Sequence, residues 1–124
     1  MSVKRIIDCR PPTEDDVRKF VNLAEKYAPD LVVDIAAYPK SVHIDLIRAR
    51  VGARPGLGTE FLQHAGRLAD ELGVLLTLNP TELSKWKDEF TGVDYKKTTS
   101  LNRLKRFYVR NGFVSAYEIG RAHV

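Results

Sequence analysis

The chain has little of what disulfides, metal centres and membrane spans are built from. Among 124 residues there are one cysteine and three histidines, so Cys9 cannot form an internal disulfide and no zinc site is readable. No apolar run approaches the roughly 18 residues of a membrane-spanning helix. The charged start MSVKRIIDCR is unlike a signal peptide. We therefore expect a cytoplasmic protein with no metal and no membrane partner.

Acidic residues are missing from one stretch in particular. Six basic residues and no acid lie between Lys96 and Arg110, and the whole chain has a net charge of +4. The six are Lys96, Lys97, Arg103, Lys105, Arg106 and Arg110. Such a cluster favours an anionic ligand or partner, although a solvated helix face would have the same composition.

The pattern of elements predicts one α/β (α+β) domain over residues 1–124. The segment KRIIDCRPP predicts a first strand, and Thr13 with Asp16 forms a capping-box pattern before a helix over Glu14–Tyr27. The runs DLVVDIAAYP and SVHIDLIRAR, separated by a proline and a lysine, predict a hairpin.

The second half of the chain predicts a βαβ unit and a further helix. Apolar residues from Phe61 to Leu72 follow helical spacing and end at Gly73, so His43–Val51 and Val74–Leu78 should be parallel neighbours in a mixed sheet. Ser100 can cap a helix over Leu101–Asn111, and GFVSAYEI predicts a closing strand. Residues 79–99 have no clear period and predict a variable loop or flap.

A glycine turn stands between a predicted strand and a predicted helix. In RPGLGTEFL, Gly56 and Gly58 would let a phosphate approach the open N–H groups of the helix, although a tight turn alone could also require them. Thr59 and Glu60 follow in place of the lysine and hydroxyl residue of a nucleotide P-loop. A dinucleotide fingerprint would need a third glycine where Phe61 stands. Both nucleotide readings are excluded.

Two motifs together resemble the GNAT superfamily of acyl-CoA-dependent N-acyltransferases, in its compact single-domain form. Gly56 and Gly58 occupy the small positions of that family's pyrophosphate motif. The stretch RFYVRNGF matches its C-terminal motif through four residues, which are Phe107, Tyr108, Gly112 and Phe113. Ala53 stands where the family has Gln or Arg, and Pro55 removes one N–H donor from the turn.

The resemblance implies transfer of an acetyl group from acetyl-CoA to an amine by direct attack. It implies that Tyr108 donates a proton to the departing sulfur. Asp45 and His43, two residues apart on the strand before the glycine turn, could accept the proton of the amine, although each could instead be a surface polar residue in a site that needs no base. The resemblance also implies a splayed pair of parallel strands at the cofactor site. The implied cofactor contacts are main-chain groups of Leu46, Ile47 and Arg48, and the turn residues Arg54, Gly56, Leu57, Gly58 and Thr59. Arg103 and Arg106 on the last helix could meet phosphates of the cofactor, although they could also form a solvated face. Phe107 and Phe113 are expected in the core.

Other interpretations remain open at this point. A GNAT-fold protein without turnover could block a partner protein, and Ala53 with Pro55 would suit it. Nucleic acid is disfavoured as a partner, because the aromatics near the basic cluster are spaced for a helix. The acceptor, small molecule or protein, and a homodimer are left undecided by the sequence.

The loop at 79–99 is expected to cover the acceptor side of the site. It carries three aromatic residues and four acids that would suit a cationic amine, although the aromatics could instead only pin the loop to the core. The residues are Trp86, Phe90, Tyr95, Glu82, Asp88, Glu89 and Asp94.

Overall fold

A computed structural model describes residues 2–3 and 9–114. The described elements are β1 (Ser2–Val3), α1 (Glu14–Glu25), β2 (Leu31–Ala37), β3 (Ser41–Ala49), α2 (Leu57–Leu72), β4 (Leu75–Leu78), β5 (Trp86–Lys87), β6 (Asp94–Tyr95) and α3 (Leu101–Arg110). Four strands form a sheet in the order β1-β4-β3-β2, and β5 pairs with β6. Only β3 and β4 run parallel among these pairs, as the βαβ pattern predicts. The mixed α/β sheet is thereby confirmed.

Two predicted strands fall largely outside the described residues. Most of the first strand predicted from KRIIDCRPP lies in residues 4–8, and most of the closing strand predicted from GFVSAYEI lies in residues 115–119. The chain pairs as β1 slightly earlier, where Ser2 lies opposite Thr77 in an antiparallel register.

Helix α1 begins at the predicted capping box. The Asp16 amide donates to the Thr13 hydroxyl, and the Thr13 amide donates to the Asp16 carboxylate. Arg10 donates to both oxygens of that carboxylate, at 2.6 and 3.0 Å. The hydrogen bonds from Arg10, followed by those from Thr13, hold the pKa of Asp16 far below its usual range, although the side chain is buried. The helix ends at Glu25, two residues before the predicted end, where i→i−3 hydrogen bonds from Lys26 and Tyr27 tighten the last turn.

The β2–β3 hairpin contains one irregularity that the sequence pattern did not predict. Asp34 lies opposite Leu46, but the next residue, Ile35, lies opposite Ile44. Asp45 is therefore an extra residue on β3, which makes this a β-bulge. Bulges bend the strand that carries them and re-aim its side chains.

Helices α1 and α2 pack on one face of the sheet and enclose the core with it. The largest fully buried side chains are Phe20, Phe61, Phe113, Leu31, Leu62, Leu76, Leu78, Val42 and Val74. Helix α2 starts after Gly56 and ends at Gly73, and both glycines have the positive φ that favours glycine. Leu104 and Tyr108 attach α3 to the same core, and Phe107 packs against its edge.

Residues 79–99 are more ordered than the predicted loop, because they contain the β5–β6 hairpin. The hairpin continues the sheet: Arg50 forms an antiparallel bridge with Tyr95, and the Lys96 amide donates to the Ala49 carbonyl at 2.9 Å. Each strand has two residues, which is too short for an alternating pattern to be visible in the sequence.

Candidate functional site

The pairing between the parallel strands β3 and β4 ends halfway along β3. They pair from Ser41 opposite Leu75 to Ile44 opposite Leu78, and β3 then continues alone to Ala49. Because the Arg50 amide donates to Asp30 on the β2 side, the Ala49 carbonyl points to the opposite edge, where β6 receives it. An unpaired stretch of strand edge, residues 45–48, is left between the end of β4 and the start of β6. The bulge residue Asp45 stands at its beginning.

A cavity of about 760 Å³ opens at this gap. Its volume lies within the range of small-molecule and cofactor sites. Strand β3, the end of β4, the first turn of α2, both ends of the 79–99 segment and one side of α3 supply its walls. Of the predicted site residues, the cavity brings together Tyr108, Asp45, Leu46, Ile47, Gly58, Arg103 and Arg106.

Tyr108 reaches this cavity from α3. Its ring is 8% exposed and contacts Phe107 and Phe113, with ring centroids 5.3 and 5.9 Å away. Burial raises the pKa of the Tyr108 phenol, so the hydroxyl keeps its proton throughout the neutral range. No described residue makes a hydrogen bond to that hydroxyl, which leaves the proton available to a ligand in the cavity.

Asp45 and His43 differ in how accessible they are to a ligand in the cavity. Asp45 is half exposed and lines the cavity, whereas His43 is 5% exposed and does not line it. The His43 ring stacks on Tyr38, and its Nδ1 lies 2.8 Å from the Thr77 hydroxyl. Burial lowers the pKa of His43, so the ring is neutral near pH 7, and its Nε2 lies 3.7 Å from the Asp45 carboxylate. Asp45 is therefore the better placed of the two candidate bases.

The glycine turn sets the N-terminus of α2 beside α3. Gly56 is the N-cap with φ +87°, and no side chain caps the helix there. The amides of Leu57, Gly58 and Thr59 consequently have no partner among the described residues. A Cβ atom at Gly58 would lie 3.5 Å from Phe107 Cζ, so the two helices approach closely at this point.

The side chains of Arg54 and Arg48 interact with other protein groups, although Arg48 was predicted to contact the cofactor through its main chain. Arg54 pairs with Glu60 of the first turn of α2 at 2.5 Å and does not line the cavity. The Arg48 guanidinium lies over the Trp86 ring, 5.5 Å from its centroid, and Trp86 stacks on Tyr95. This stack pins the β5–β6 hairpin to the open face of the sheet.

The 79–99 segment lines the cavity with its two ends and not with its aromatic residues. Thr81, Leu83, Thr98 and the neighbouring polar residues line it, whereas none of the four predicted acids does. Glu82 accepts a hydrogen bond from the Leu101 amide at the start of α3, and Asp88 accepts from two amides of the hairpin turn. Lys96, Lys97 and Arg110 also line the cavity. They were not among the predicted site residues, although the sequence shows their cluster of positive charge.

A second, smaller cavity of about 490 Å³ meets the first at Leu31 and Asp45. Its walls come from the end of α1 and from β2, and Glu25 and Asp34 lie on them. The bulge residue Asp45 therefore lines both cavities.

Comparison with known proteins adds no identification: no family model matches the chain, and neither a curated protein nor a solved structure matches it. Within the described residues, no group of three or more histidine, cysteine or carboxylate side chains is arranged to hold a metal ion. No helix in the same ranges is long and apolar enough to cross a membrane.

Proposed function

We propose that this protein is an N-acetyltransferase of the GNAT type, which transfers an acetyl group from acetyl-CoA to an amine. The observation that carries the proposal is the gap between β3 and β4, with a bulge at Asp45 and a cavity lined by Tyr108. A thioester arm lying along the unpaired edge could accept hydrogen bonds from main-chain amides of residues 45–48, as an added strand does.

The described groups suit each step of a direct transfer. The amine nitrogen attacks the thioester carbonyl carbon, its proton passes to Asp45 directly or through water, and the carbon–sulfur bond breaks. The departing thiolate takes the Tyr108 proton. A free phenol is close in acidity to a thiol. Burial raises the pKa of Tyr108 above that of a free phenol, so the hydroxyl keeps its proton until the thiolate departs.

The two cavities suggest where the substrates bind. The first is lined by the arginines of α3 and by Gly58, one of the residues with open amides at the start of α2, and these groups suit the phosphates of coenzyme A. The second contains Glu25 and Asp34 and opens onto Asp45, so a positively charged amine could approach the thioester from that side. Attack would then take place beside the bulge.

Titration with acetyl-CoA in a calorimeter tests the proposal directly. The wild-type chain should bind, and Gly56→Glu should not, because its carboxylate would stand where the phosphates meet the amides of α2. Release of free coenzyme A in the presence of a panel of amines then measures turnover. A wild-type chain that is folded but does not bind acetyl-CoA would show the proposal to be wrong.

One observation favours a second candidate, a protein of the same fold that binds a partner without turnover. Glu60 lies in the first turn of α2 and neutralises Arg54, so the helix end is less attractive to phosphates than its open amides alone would make it. Weak binding of acetyl-CoA by the folded chain, with no release of coenzyme A in the presence of any amine, would favour this candidate.

A further inference from the structure

The cavity has a strongly unequal distribution of charge. Five cationic side chains and a single carboxylate, that of Asp45, belong to its lining. The cations are Lys96, Lys97, Arg103, Arg106 and Arg110. The positive cluster of the sequence therefore does not simply form a solvated helix face, because most of it meets at one concave surface.

The five cations come from two elements that approach each other across the cavity. Arg103, Arg106 and Arg110 follow the spacing i, i+3, i+7 and so share one side of α3. Lys96 is fixed opposite them, because its own amide donates to Ala49 at the far end of β3. Asp45 is four strand residues away from Ala49, about 13 Å along β3. The negative and positive ends of the cavity are thus distinct.

Within the part of the chain that the structure describes, no ion pair neutralises these cations. None of the five pairs with a carboxylate among residues 9–114, and Arg106 donates only to the Asn102 carbonyl of its own helix, at 3.4 Å. Like charges gathered without counter-charges repel one another and raise the local potential. A multiply charged anion bound between the two elements would relieve that repulsion.

We propose that Lys96 and Lys97, together with the three arginines of α3, bind the ribose phosphate of coenzyme A. This inference rests on the proposed function. The pyrophosphate has its own candidate site at the open amides of α2, which leaves the phosphate monoester of the ribose as the remaining dianion of the coenzyme. Arginine and lysine on two facing elements recognise such a group from both sides. The β5–β6 hairpin then serves to carry two lysines to the cofactor.

A comparison of two coenzymes tests this assignment. Coenzyme A and dephospho-coenzyme A differ only in the ribose phosphate, so wild-type protein should bind coenzyme A about tenfold more tightly or better. The double variant Lys96→Gln, Lys97→Gln should bind both compounds with nearly equal affinity. Its melting temperature should be unchanged, because both side chains are exposed. Lys105→Gln is the matched control, since Lys105 belongs to the same basic cluster but does not line the cavity.

The outcomes separate this inference from the function on which it rests. If wild-type protein binds both coenzymes equally, or the double variant keeps the full preference, the assignment is overturned while the acetyltransferase proposal stands. If neither coenzyme binds, both fail. If the double variant keeps the preference for coenzyme A but loses use of a phosphorylated amine, the anion belongs to the acceptor and the assignment is again overturned.

Discussion

The two glycines of the α2 turn should respond in opposite ways to the same substitution. At Gly56, φ is +87° and a new Cβ would meet nothing within 4 Å, so Gly56→Ala changes only the backbone energy. A left-handed conformation costs an alanine about 1–2 kcal/mol. Gly56→Ala should therefore destabilise the fold by about that amount.

Gly58 lies inside the first turn of α2 with helical dihedrals, where alanine is favoured over glycine by about 0.5–1 kcal/mol. Its new methyl group would lie 3.5 Å from Phe107 Cζ, an ordinary contact distance, so no clash offsets this gain. The two variants should thus differ by about 2 kcal/mol. At about 4 °C per kcal/mol for a chain of this length, they should melt about 8 °C apart.

Thermal unfolding followed by circular dichroism measures this difference, with wild type expected between the two variants. The affinity for coenzyme A should not follow the melting temperature, because Gly58 lines the cavity. Gly58→Ala should raise the melting temperature and weaken coenzyme A binding. If Gly58→Ala destabilises as much as Gly56→Ala does, the new methyl group clashes with a neighbour. The 3.5 Å spacing between the first turn of α2 and Phe107 would then be wrong.

Three further outcomes follow from single side chains. Tyr108→Phe should lower the acetyl-transfer rate about 10²–10⁴-fold with coenzyme affinity kept, because only the proton donor is removed; full activity in a stable variant would contradict this role. Asp16→Asn should destabilise by about 1–2 kcal/mol at neutral pH. Since folding lowers the pKa of Asp16, its contribution is present above about pH 4 and is lost as the pH falls further, so urea titrations of variant and wild type should converge in acid. Trp86→Ala should lower stability by about 1 kcal/mol through the lost stack on Tyr95 and Arg48, with little change in amine use; the reverse pattern would make Trp86 part of the acceptor site.

Local patterns predicted the elements well, because each depends on residues that are close in sequence. The capping box of α1, the glycine that ends α2 and the serine cap of α3 are all present as expected. The parallel pairing of β3 and β4 followed from the helix between them, which needs room to cross over.

The features that open the site depend on register and on packing between distant segments. The bulge at Asp45 is visible only when β3 is aligned with β2, since nothing in SVHIDLIRAR marks one residue as extra. The ion pair of Arg54 with Glu60 and the stacking of Arg48 under Trp86 likewise depend on side-chain placement. The motif placed Arg54 at the cofactor, because a sequence motif carries no information on ion-pair partners.

The β5–β6 hairpin limits how much of the unpaired β3 edge beside the bulge is exposed. A strand edge that leaves its neighbour exposes main-chain donors and acceptors, which invites pairing with other chains. Here β6 takes up the edge again from Ala49, so the exposed stretch is confined to residues 45–48 at the wall of a cavity. The same hairpin sets Lys96 opposite the arginines of α3. The β5–β6 hairpin therefore both covers the strand edge and brings Lys96 to the cavity. It lies in residues 79–99, the segment that has no clear pattern in the sequence.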